Sequence, residues 1–244
     1  MSLNSNDLTF STDTGTQITV ADAVASRRSV RAFTDDAVPF DIIERVMEQA
    51  RWAPSGCNFQ PWEANILTGA PLKALQRKLL VSEPDNPQEY DFSAPAQVDE
   101  YQNRLTNFAA SMYSSLGIAR DDKAARDAWH DQNTQAFDAP ALLVCHLPKF
   151  MKAAQWSDMG MWLQTIMLLF RGEGLDTCPL EILGMYGRTI KTHLGLSDDT
   201  MLFCGLAIGW RDFNAPVNQF ERQRVALSEN VTFHGFDNNE SKDS

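Results

Sequence analysis

The sequence predicts an α+β fold in which a central mixed sheet lies between layers of helices, a three-layer α/β arrangement. Two observations carry this prediction. Residues 141–147 form an uninterrupted apolar run, which is typical of a strand buried on both faces. From residue 62 onwards, short strand-like runs alternate with segments whose apolar residues recur every three or four positions. This alternation favours a sheet that is covered by helices on both sides.

The first half of the chain is predicted to be mainly helical. Thr19 and Asp22 have the spacing of a capping box, so a short helix is expected through residues 24–27. Pro39 suits the first turn of a second helix, which has to end before Pro54. The later elements predicted from periodicity are a strand over 63–68, a helix over 72–80, an irregular stretch over 81–96, a helix over 101–116 and a helix over 121–136.

The second half of the chain is predicted to supply most of the sheet. Ser157 is expected to cap a helix that Gly172 and Gly174 end. The other predicted elements are strands over 141–147, 175–180 and 201–210, a helix over 187–194 closed by Gly195, and a final strand over 231–236. The predicted organisation is a flexible N-terminal arm over 1–18, a single domain over 19–236 and a disordered tail over 237–244.

The charge and cysteine content narrow the class of protein. The 244 residues carry a formal net charge of -11, which argues against nonspecific binding to nucleic acid or to an anionic membrane surface. No apolar run is long enough to span a bilayer, and residues 1–20 lack the pattern of a signal peptide. The four cysteines are scattered without C-x-x-C spacing, as is typical of reduced thiols. A soluble, cytoplasmic protein is therefore expected.

Several catalytic and nucleotide-binding motifs are missing from the sequence. It contains no phosphate-binding G-x-x-x-x-G-K-[ST] loop, no G-x-G-x-x-G after a strand and no G-x-S-x-G nucleophile elbow. The histidines are isolated from one another, so no metal site is predicted at His130, His146, His193 or His234. Because no protein nucleophile, base or metal is proposed, the sequence points to an organic cofactor.

Two basic segments stand out against the acidic background. Residues 26–31 hold three arginines and two serines, and residues 222–224 hold a further pair of arginines. Arginine donors suit phosphate or carboxylate oxygens, and a serine hydroxyl adds a neutral donor. One interpretation is an anion site built from both segments. The alternative is a solvated basic turn, with the second pair neutralising Glu221 and Glu229.

A loop rich in turn formers and amide side chains follows the second predicted helix. Residues 54–62 read Pro-Ser-Gly-Cys-Asn-Phe-Gln-Pro-Trp, and two prolines this close exclude regular structure. One interpretation is an ordinary connector between a helix and a strand. The other is a rigid loop that presents backbone N–H groups, Ser55 and Asn58 to a flat polar ligand.

The basic segment and the loop together resemble the signature of the FMN-dependent nitroreductase family. The first part of this signature is Arg27-Arg28-Ser29-Val30-Arg31-Ala32-Phe33, and the second is Ala53-Pro54-Ser55-Gly56-Cys57-Asn58-Phe59-Gln60-Pro61-Trp62. The segments 178–181, 203–210 and 222–227 are similar to the family's loop under the flavin, its last long strand and its closing basic motif. The tail from 214 to 236 is similar to the branch that reduces nitrobenzoates and related nitroaromatics.

The resemblance implies that the two basic segments hold FMN. Arg27 and Ser29 would bind its phosphate and ribityl end, with Arg28 nearby, while Arg31 would lie beside N1 and the C2 carbonyl of the ring, where positive charge favours the reduced flavin. Charge-assisted hydrogen bonds would close the phosphate site from the C-terminal side. The residues implied on that side are Arg222 and Arg224.

The resemblance also implies which residues surround the flavin ring. The loop residues expected to reach the ring across a dimer interface are Pro54, Ser55, Gly56, Cys57 and Asn58, with Gln60 in support. The residues expected against the other ring face are Pro179, Leu180, Glu181 and Ile182, where a backbone N–H would donate to N5. Three further side chains are expected near the pocket, namely Phe108, Met112 or Trp129.

The implied protein is an intertwined homodimer with a nitroreductase-like fold. Its implied reaction is ping-pong hydride transfer from NADH or NADPH through FMN to a nitroaromatic compound, which gives nitroso and then hydroxylamine products. Two classes of alternative stay open at this point. The same scaffold supports reductive dehalogenation, enone reduction or quinone reduction, and a flavin-binding protein without turnover would serve as a carrier or sensor.

Overall fold

The computed structural model describes residues 18–236, so the expectations for residues 1–17 and for the tail over 237–244 lie outside the described residues. The helices are α1 (Val20–Ser26), α2 (Phe40–Ala50), α3 (Gly69–Leu80), α4 (Asp99–Ser115), α5 (Lys123–Asp131), α6 (Ala153–Gly172), α7 (Gly187–Leu194) and α8 (Leu227–Asn230). The strands are β1 (Glu63–Thr68), β2 (Ala141–Pro148), β3 (Asp176–Leu180) and β4 (Thr200–Gly209).

The strands form one sheet in the order β1-β2-β4-β3, and each neighbouring pair is antiparallel. This differs from the expected mixed sheet. The strands β2 and β3, which α6 connects, run in the same direction, but β4 lies between them and pairs with both. In the described part of the chain, parallel pairing is limited to one bridge between Ser29 and Thr177.

Helices cover both faces of the sheet, as the sequence predicts. Successive residues of β2 alternate between two buried clusters: Leu143 belongs to the cluster with α2 and α6, while Leu142 belongs to the cluster with α3 and α7. The side chains of Phe170 and Leu75 are fully buried on opposite faces. Because each face of the sheet is packed against helices, its strands are apolar almost throughout, which explains the uniform run at 141–147.

The predicted helix starts and stops agree with the structure in α1, α2 and α7. The hydroxyl of Thr19 accepts a hydrogen bond from the Asp22 backbone N–H at 3.1 Å, which caps α1. Helix α2 begins directly after Pro39. Helix α7 ends at Gly195, which has a left-handed φ of 68° that favours glycine.

Three predictions of elements are wrong. Ser157 lies inside α6, which already begins at Ala153, and its hydroxyl donates to the Ala154 carbonyl at 2.6 Å instead of capping the helix. The helix expected over 121–136 is only α5, because the chain turns after Asp131 into left-handed backbone at residues 136–138. Residues 231–236 form no strand, since none of the four strands pairs with them.

Among residues 18–236, no helix combines the length and the apolar character that crossing a membrane requires.

Candidate functional site

The two basic segments of the sequence line one cavity of about 660 Å³. This arginine cavity has a volume typical of small-molecule sites. One wall is the segment that follows α1, another is the C-terminal segment before α8, and a third is one face of α4. The residues predicted from sequence that line it are Arg27, Arg28, Ser29, Arg31, Arg222 and Arg224.

Backbone pairing with the sheet positions the first basic segment. Ser29 forms a parallel bridge with Thr177 of β3, and the Val30 N–H donates to the Thr177 carbonyl at 3.0 Å. The side chain of Val30 is fully buried, so the segment cannot shift along the sheet edge without exposing it. The residues on either side of Val30 therefore have a fixed direction relative to β3.

A buried carboxylate holds the end of α1 against the sheet. Asp176, whose side chain is 1% exposed, accepts from Arg171 at 2.7 Å and from both Nε and Nη2 of Arg211 at 2.9 and 2.6 Å. Arg211 also donates to the Ser26 carbonyl at 3.4 Å. Two arginines compensate for the burial of one charge, and one of them anchors the backbone where the first basic segment begins.

Asn218 joins the first basic segment to the C-terminal segment. Its buried side chain accepts from the Arg31 backbone N–H at 2.9 Å and donates to the carbonyls of Ala32 and Asp212 at 2.8 and 2.9 Å. Sequence reasoning missed this residue because an asparagine after Pro216 reads as an ordinary turn residue. Its three hydrogen bonds satisfy one acceptor and two donors of a single amide.

The arginines of the cavity bond to backbone carbonyls instead of carboxylates. Arg28 donates to the Phe220 carbonyl at 2.5 Å, and Arg222 donates to the carbonyls of Arg27 and Ala25. Among the described residues, the arginine ion pairs involve other arginines than the five predicted from the two segments. Arg222 and Arg224 therefore form no ion pair with Glu221 or Glu229, contrary to the alternative interpretation of this segment.

This concentration of like charge affects the guanidinium groups themselves. Burial lowers the pKa of Arg27, and the nearby Arg222 and Arg224 lower it further. Burial likewise lowers the pKa of Arg28, with Arg211 and Arg222 adding to the effect. Both shifts mean that the charged forms are destabilised where they stand, so an anion placed among them is bound favourably.

Arg31 lies at the aromatic end of the cavity. Its guanidinium stands 5.3 Å from the centroid of the Phe108 ring and 5.9 Å from that of Phe137. The Phe108 ring also lies 5.9 Å from the Phe220 ring, over which Arg28 is placed. Cation–π contacts of this kind orient an arginine without neutralising its charge.

One face of α4 completes the cavity. Of the three side chains expected near the pocket, Phe108 lines it, whereas Met112 is buried and Trp129 packs against Phe137. Sequence reasoning assigned no role to the polar lining residues of the same helix. These residues are Arg104, Asn107 and Ser111, whose spacing of three and four positions was the available signal.

The loop over residues 54–60 does not line the arginine cavity of its own chain. Residues 56–58 form a 3₁₀ turn in which Cys57 and Asn58 have φ of 52° and 57°. The Ser55 hydroxyl accepts from the Gln60 N–H at 3.0 Å. Apart from the half-buried Ser55, the predicted residues of this loop are exposed, namely Pro54, Gly56, Cys57, Asn58 and Gln60.

A buried carboxylate of α6 holds this loop. Oδ1 of Asp158 accepts from the Gly56 N–H at 3.1 Å, and Oδ2 has no hydrogen-bond partner among the described residues. A Cβ added at Gly56 would stand 3.8 Å from Oδ2, an ordinary contact distance, so Gly56 lies directly against α6. The sequence showed the loop but not its anchor, which is 102 residues away.

The residues predicted for the other ring face lie at the end of β3 and directly after it. Leu180 is buried in the core, Ile182 is half-buried, and Pro179 and Glu181 are exposed; none of them is among the residues that line the arginine cavity. Cys178 of β3 lies between these residues and the first basic segment. Burial raises its pKa to about 11, and the opposing influence of Arg31 and Arg27 shows that the basic segment lies near this thiol.

Residues 18–236 contain no group of three or more histidine, cysteine, aspartate or glutamate side chains that could hold a metal ion. The buried His146 has a structural role, because its Nε2 hydrogen-bonds with Oδ1 of Asn65 at 2.9 Å across β1 and β2.

Comparisons with known proteins identify the family of this chain. The model of the nitroreductase family matches residues 24–210. The chain is 34% identical to a 4-nitrobenzoate reductase from Pseudomonas putida over 215 residues, which are 88% of this chain and 95% of that protein. It is 30% identical to a chloronitrobenzene nitroreductase from Comamonas testosteroni over 218 residues, which are 88% of this chain and 96% of that protein.

Solved structures give the same result. The FMN and NADPH-dependent nitroreductase NfnB from Sphigopyxis sp. strain HMH is 44% identical, with a TM-score of 0.85, over 90% of this chain and 100% of that chain. The FMN-dependent nitroreductase NfnB from Mycobacterium smegmatis, solved in complex with NADPH, is 30% identical, with a TM-score of 0.83, over 88% of this chain and 98% of that chain.

Proposed function

The chain belongs to the nitroreductase family, and we propose that it is an FMN-dependent oxidoreductase that uses NADPH to reduce nitroaromatic compounds such as nitrobenzoates. The observation that carries this proposal is the arginine cavity. Five arginines from two distant segments converge there without carboxylate partners among the described residues. A bound phosphate supplies the charge that such a site lacks.

The residues present fit FMN. The phosphate would be held by guanidinium and hydroxyl donors that converge where burial and neighbouring arginines lower the pKa of Arg27. These donors belong to Arg27, Ser29, Arg222 and Arg224, with Arg28 beside them. When bound, FMN would supply the hydride chemistry that links a nicotinamide donor to the nitro group. The positive charge of Arg31, oriented by two aromatic rings, would stabilise negative charge on the reduced ring system.

We further propose that the working unit is a homodimer in which residues 54–60 of one protomer complete the site of the other. Three observations support it. This loop is exposed and rigidly held, it does not line the arginine cavity of its own chain, and large apolar side chains around it are uncovered. These are Trp52 and Phe59, which are 58% and 56% exposed.

We also propose the residues that contact the flavin ring, the extent of the domain and the cellular compartment of the protein. We propose that the flavin ring lies along the last two residues of β3 and the two that follow, because β3 pairs with the basic segment. These residues are Pro179, Leu180, Glu181 and Ile182. Residues 19–236 would form one domain, and the four free cysteines suit a reducing cytoplasm.

Spectroscopy and turnover of the purified protein test the proposed function. The protein is expected to bind added FMN, and to oxidise NADPH several times faster when 4-nitrobenzoate is present. Hydroxylamine product is measured by chromatography, with buffer and free FMN as controls. A protein that binds no FMN contradicts the proposal, and so does a flavoprotein that NADPH does not reduce.

A further inference from the structure

The arginine cavity carries more positive charge than an FMN phosphate neutralises. Six arginines and two glutamates are among the residues that line it, an excess of four positive charges. A phosphate monoester contributes roughly two negative charges at neutral pH. Arg31 is assigned to the reduced flavin ring, so about one positive charge is left for another anion, in a protein whose formal net charge is -11.

The sixth arginine lies on a part of the cavity that the cofactor assignment leaves free. Arg104 is on α4, apart from both basic segments, and it lines the cavity together with Asn107, Phe108 and Ser111. Residues spaced by three, four and seven positions lie on one face of a helix. This face therefore offers a cation, an aromatic ring, an amide and a hydroxyl in one row.

Phe108 places this row beside the aromatic end of the cavity. Phe108 is 41% exposed, and its ring stands 5.3 Å from the Arg31 guanidinium and 5.9 Å from the Phe220 ring. Arg104 is four residues before Phe108, one helical turn away. An aromatic ring packed on Phe108 thus places a substituent about one helical turn from Arg104, whose guanidinium at present lies towards the preceding turn of α4.

The present partner of Arg104 does not hold it strongly. Arg104 pairs with Glu100 one turn back on α4, and the two side chains are 42% and 60% exposed. Its guanidinium also stands 5.4 Å from the centroid of the exposed Tyr101 ring. Exposed ion pairs between neighbouring helical turns contribute little free energy, so the guanidinium is free to exchange Glu100 for a ligand.

We propose that Arg104 is a specificity-determining residue that binds the carboxylate of an aromatic acid acceptor whose ring packs on Phe108. Asn107 and Ser111 provide further donors on the same face. This inference rests on the proposed function and adds the class of acceptor to it: nitroaromatic acids over neutral nitroaromatics. A guanidinium suits a carboxylate because two parallel N–H groups match its two oxygens.

The test compares two acceptors that differ in charge, 4-nitrobenzoate and nitrobenzene, in the full-length holoenzyme. For Arg104→Gln, kcat/KM with 4-nitrobenzoate is expected to fall by about tenfold relative to wild type, as for the loss of one charge-assisted hydrogen bond. With nitrobenzene it is expected to stay within about twofold. Taking the ratio for each acceptor separately cancels their different intrinsic reactivities.

Two further variants sharpen the comparison. Arg104→Lys keeps the charge and is expected to recover part of the preference for the acid. Arg77→Gln removes an exposed arginine of α3 that does not line the cavity, and it is expected to leave kcat/KM unchanged with both acceptors. Calorimetry with benzoate, which has no nitro group to reduce, is expected to show about tenfold weaker binding to Arg104→Gln.

Three results would overturn the inference. The first is an equal loss of kcat/KM with both acceptors in Arg104→Gln, which would show that Arg104 has only a structural role. The second is a loss confined to kcat/KM for NADPH, which assigns the charge to the nicotinamide donor. The third is unchanged benzoate affinity in Arg104→Gln. A wild-type protein that reduces neither acceptor contradicts the proposed function instead, and benzoate calorimetry then still tests Arg104.

Discussion

Single polar side chains decide how the two basic segments meet. Asn218 satisfies the Arg31 N–H, which is 187 residues away in the chain, and two backbone carbonyls as well. Asp176 holds Arg211, which reaches the end of α1. Both are 3% exposed, so neither has water as a substitute partner.

Replacing Asn218 by alanine is expected to lower the free energy of unfolding by about 2–4 kcal/mol, because three partners of a buried amide lose their hydrogen bonds. Gln219→Ala is the matched control, since this exposed amide makes one hydrogen bond, to the Phe213 carbonyl at 2.7 Å. Chemical denaturation of both variants measures the difference. Equal destabilisation by the two substitutions would argue against a special role for Asn218.

The cysteines differ in ionisation as well as exposure. Burial raises the pKa of Cys178 to about 11 and raises that of Cys145 as well, so at pH 8 both remain neutral thiols. Cys57 is exposed, whereas Cys204 is buried. We expect no more than one thiol per folded chain to react with Ellman's reagent at pH 8, all four to react in denaturant, and Cys57→Ser to show none in the folded state. Reaction of two or more thiols in the folded protein would contradict this assignment.

The sequence identified the arginines but not the residues that position them. Arginine-rich segments are visible because they contrast with an acidic background, and the resemblance joins them across nearly two hundred positions. Asn218 and Arg104 have no such contrast: an asparagine in a turn and an arginine on an exposed helix are common. Their roles depend on which distant segment lies opposite, which periodicity does not encode.

At the scale of elements, α6 supports both the core and the loop over 54–60. Its apolar residues, among them Trp162, Ile166 and Phe170, pack against the sheet. Its Asp158 holds the Gly56 N–H. One helix thus couples the rigid centre of the domain to the exposed turn that the proposed dimer uses.

Replacing Asp158 by alanine is expected to mobilise this loop. Loss of the hydrogen bond to Gly56 costs about 1 kcal/mol, so amide exchange in the peptide covering 54–60 is expected to rise about fivefold. Asp158→Asn retains a carbonyl oxygen that can accept from Gly56, so its exchange is expected to stay near that of wild type. Hydrogen-exchange mass spectrometry compares the three proteins. Equal exchange in the alanine and asparagine variants would show that loss of the hydrogen bond to Gly56 does not cause the faster exchange.

Helix boundaries were predicted correctly where a residue within one turn of the boundary sets them. Thr19, Pro39 and Gly195 act within one turn of the backbone, and the helices they bound begin or end there. Ser157 misled the prediction because a hydroxyl inside a helix also bonds to a nearby carbonyl. The antiparallel pairing was not predictable from alternation of strands and helices, because strand order is set by long-range packing.

At the scale of the whole molecule, opposite charges are separated in space. The chain is acidic overall, with a formal net charge of -11, yet the arginine cavity gathers an excess of four positive charges. An anionic cofactor and an anionic acceptor are therefore attracted to this cavity and repelled by the rest of the surface. The fold serves this arrangement by bringing residues 27–31 and 222–224 to the same end of β3.

The proposal that the arginine cavity binds the FMN phosphate is tested most directly by comparing FMN with riboflavin, which lacks the phosphate. Titration of the apoprotein by flavin fluorescence is expected to show FMN binding about a hundredfold more tightly than riboflavin. The double variant Arg27→Ala, Arg224→Ala is expected to bind FMN about tenfold more weakly than wild type, since Ser29 and Arg222 remain, while its riboflavin affinity stays at the wild-type value. Arg77→Gln is expected to bind both flavins as wild type does. Unchanged FMN affinity in the double variant would contradict the assignment of the cavity to the phosphate.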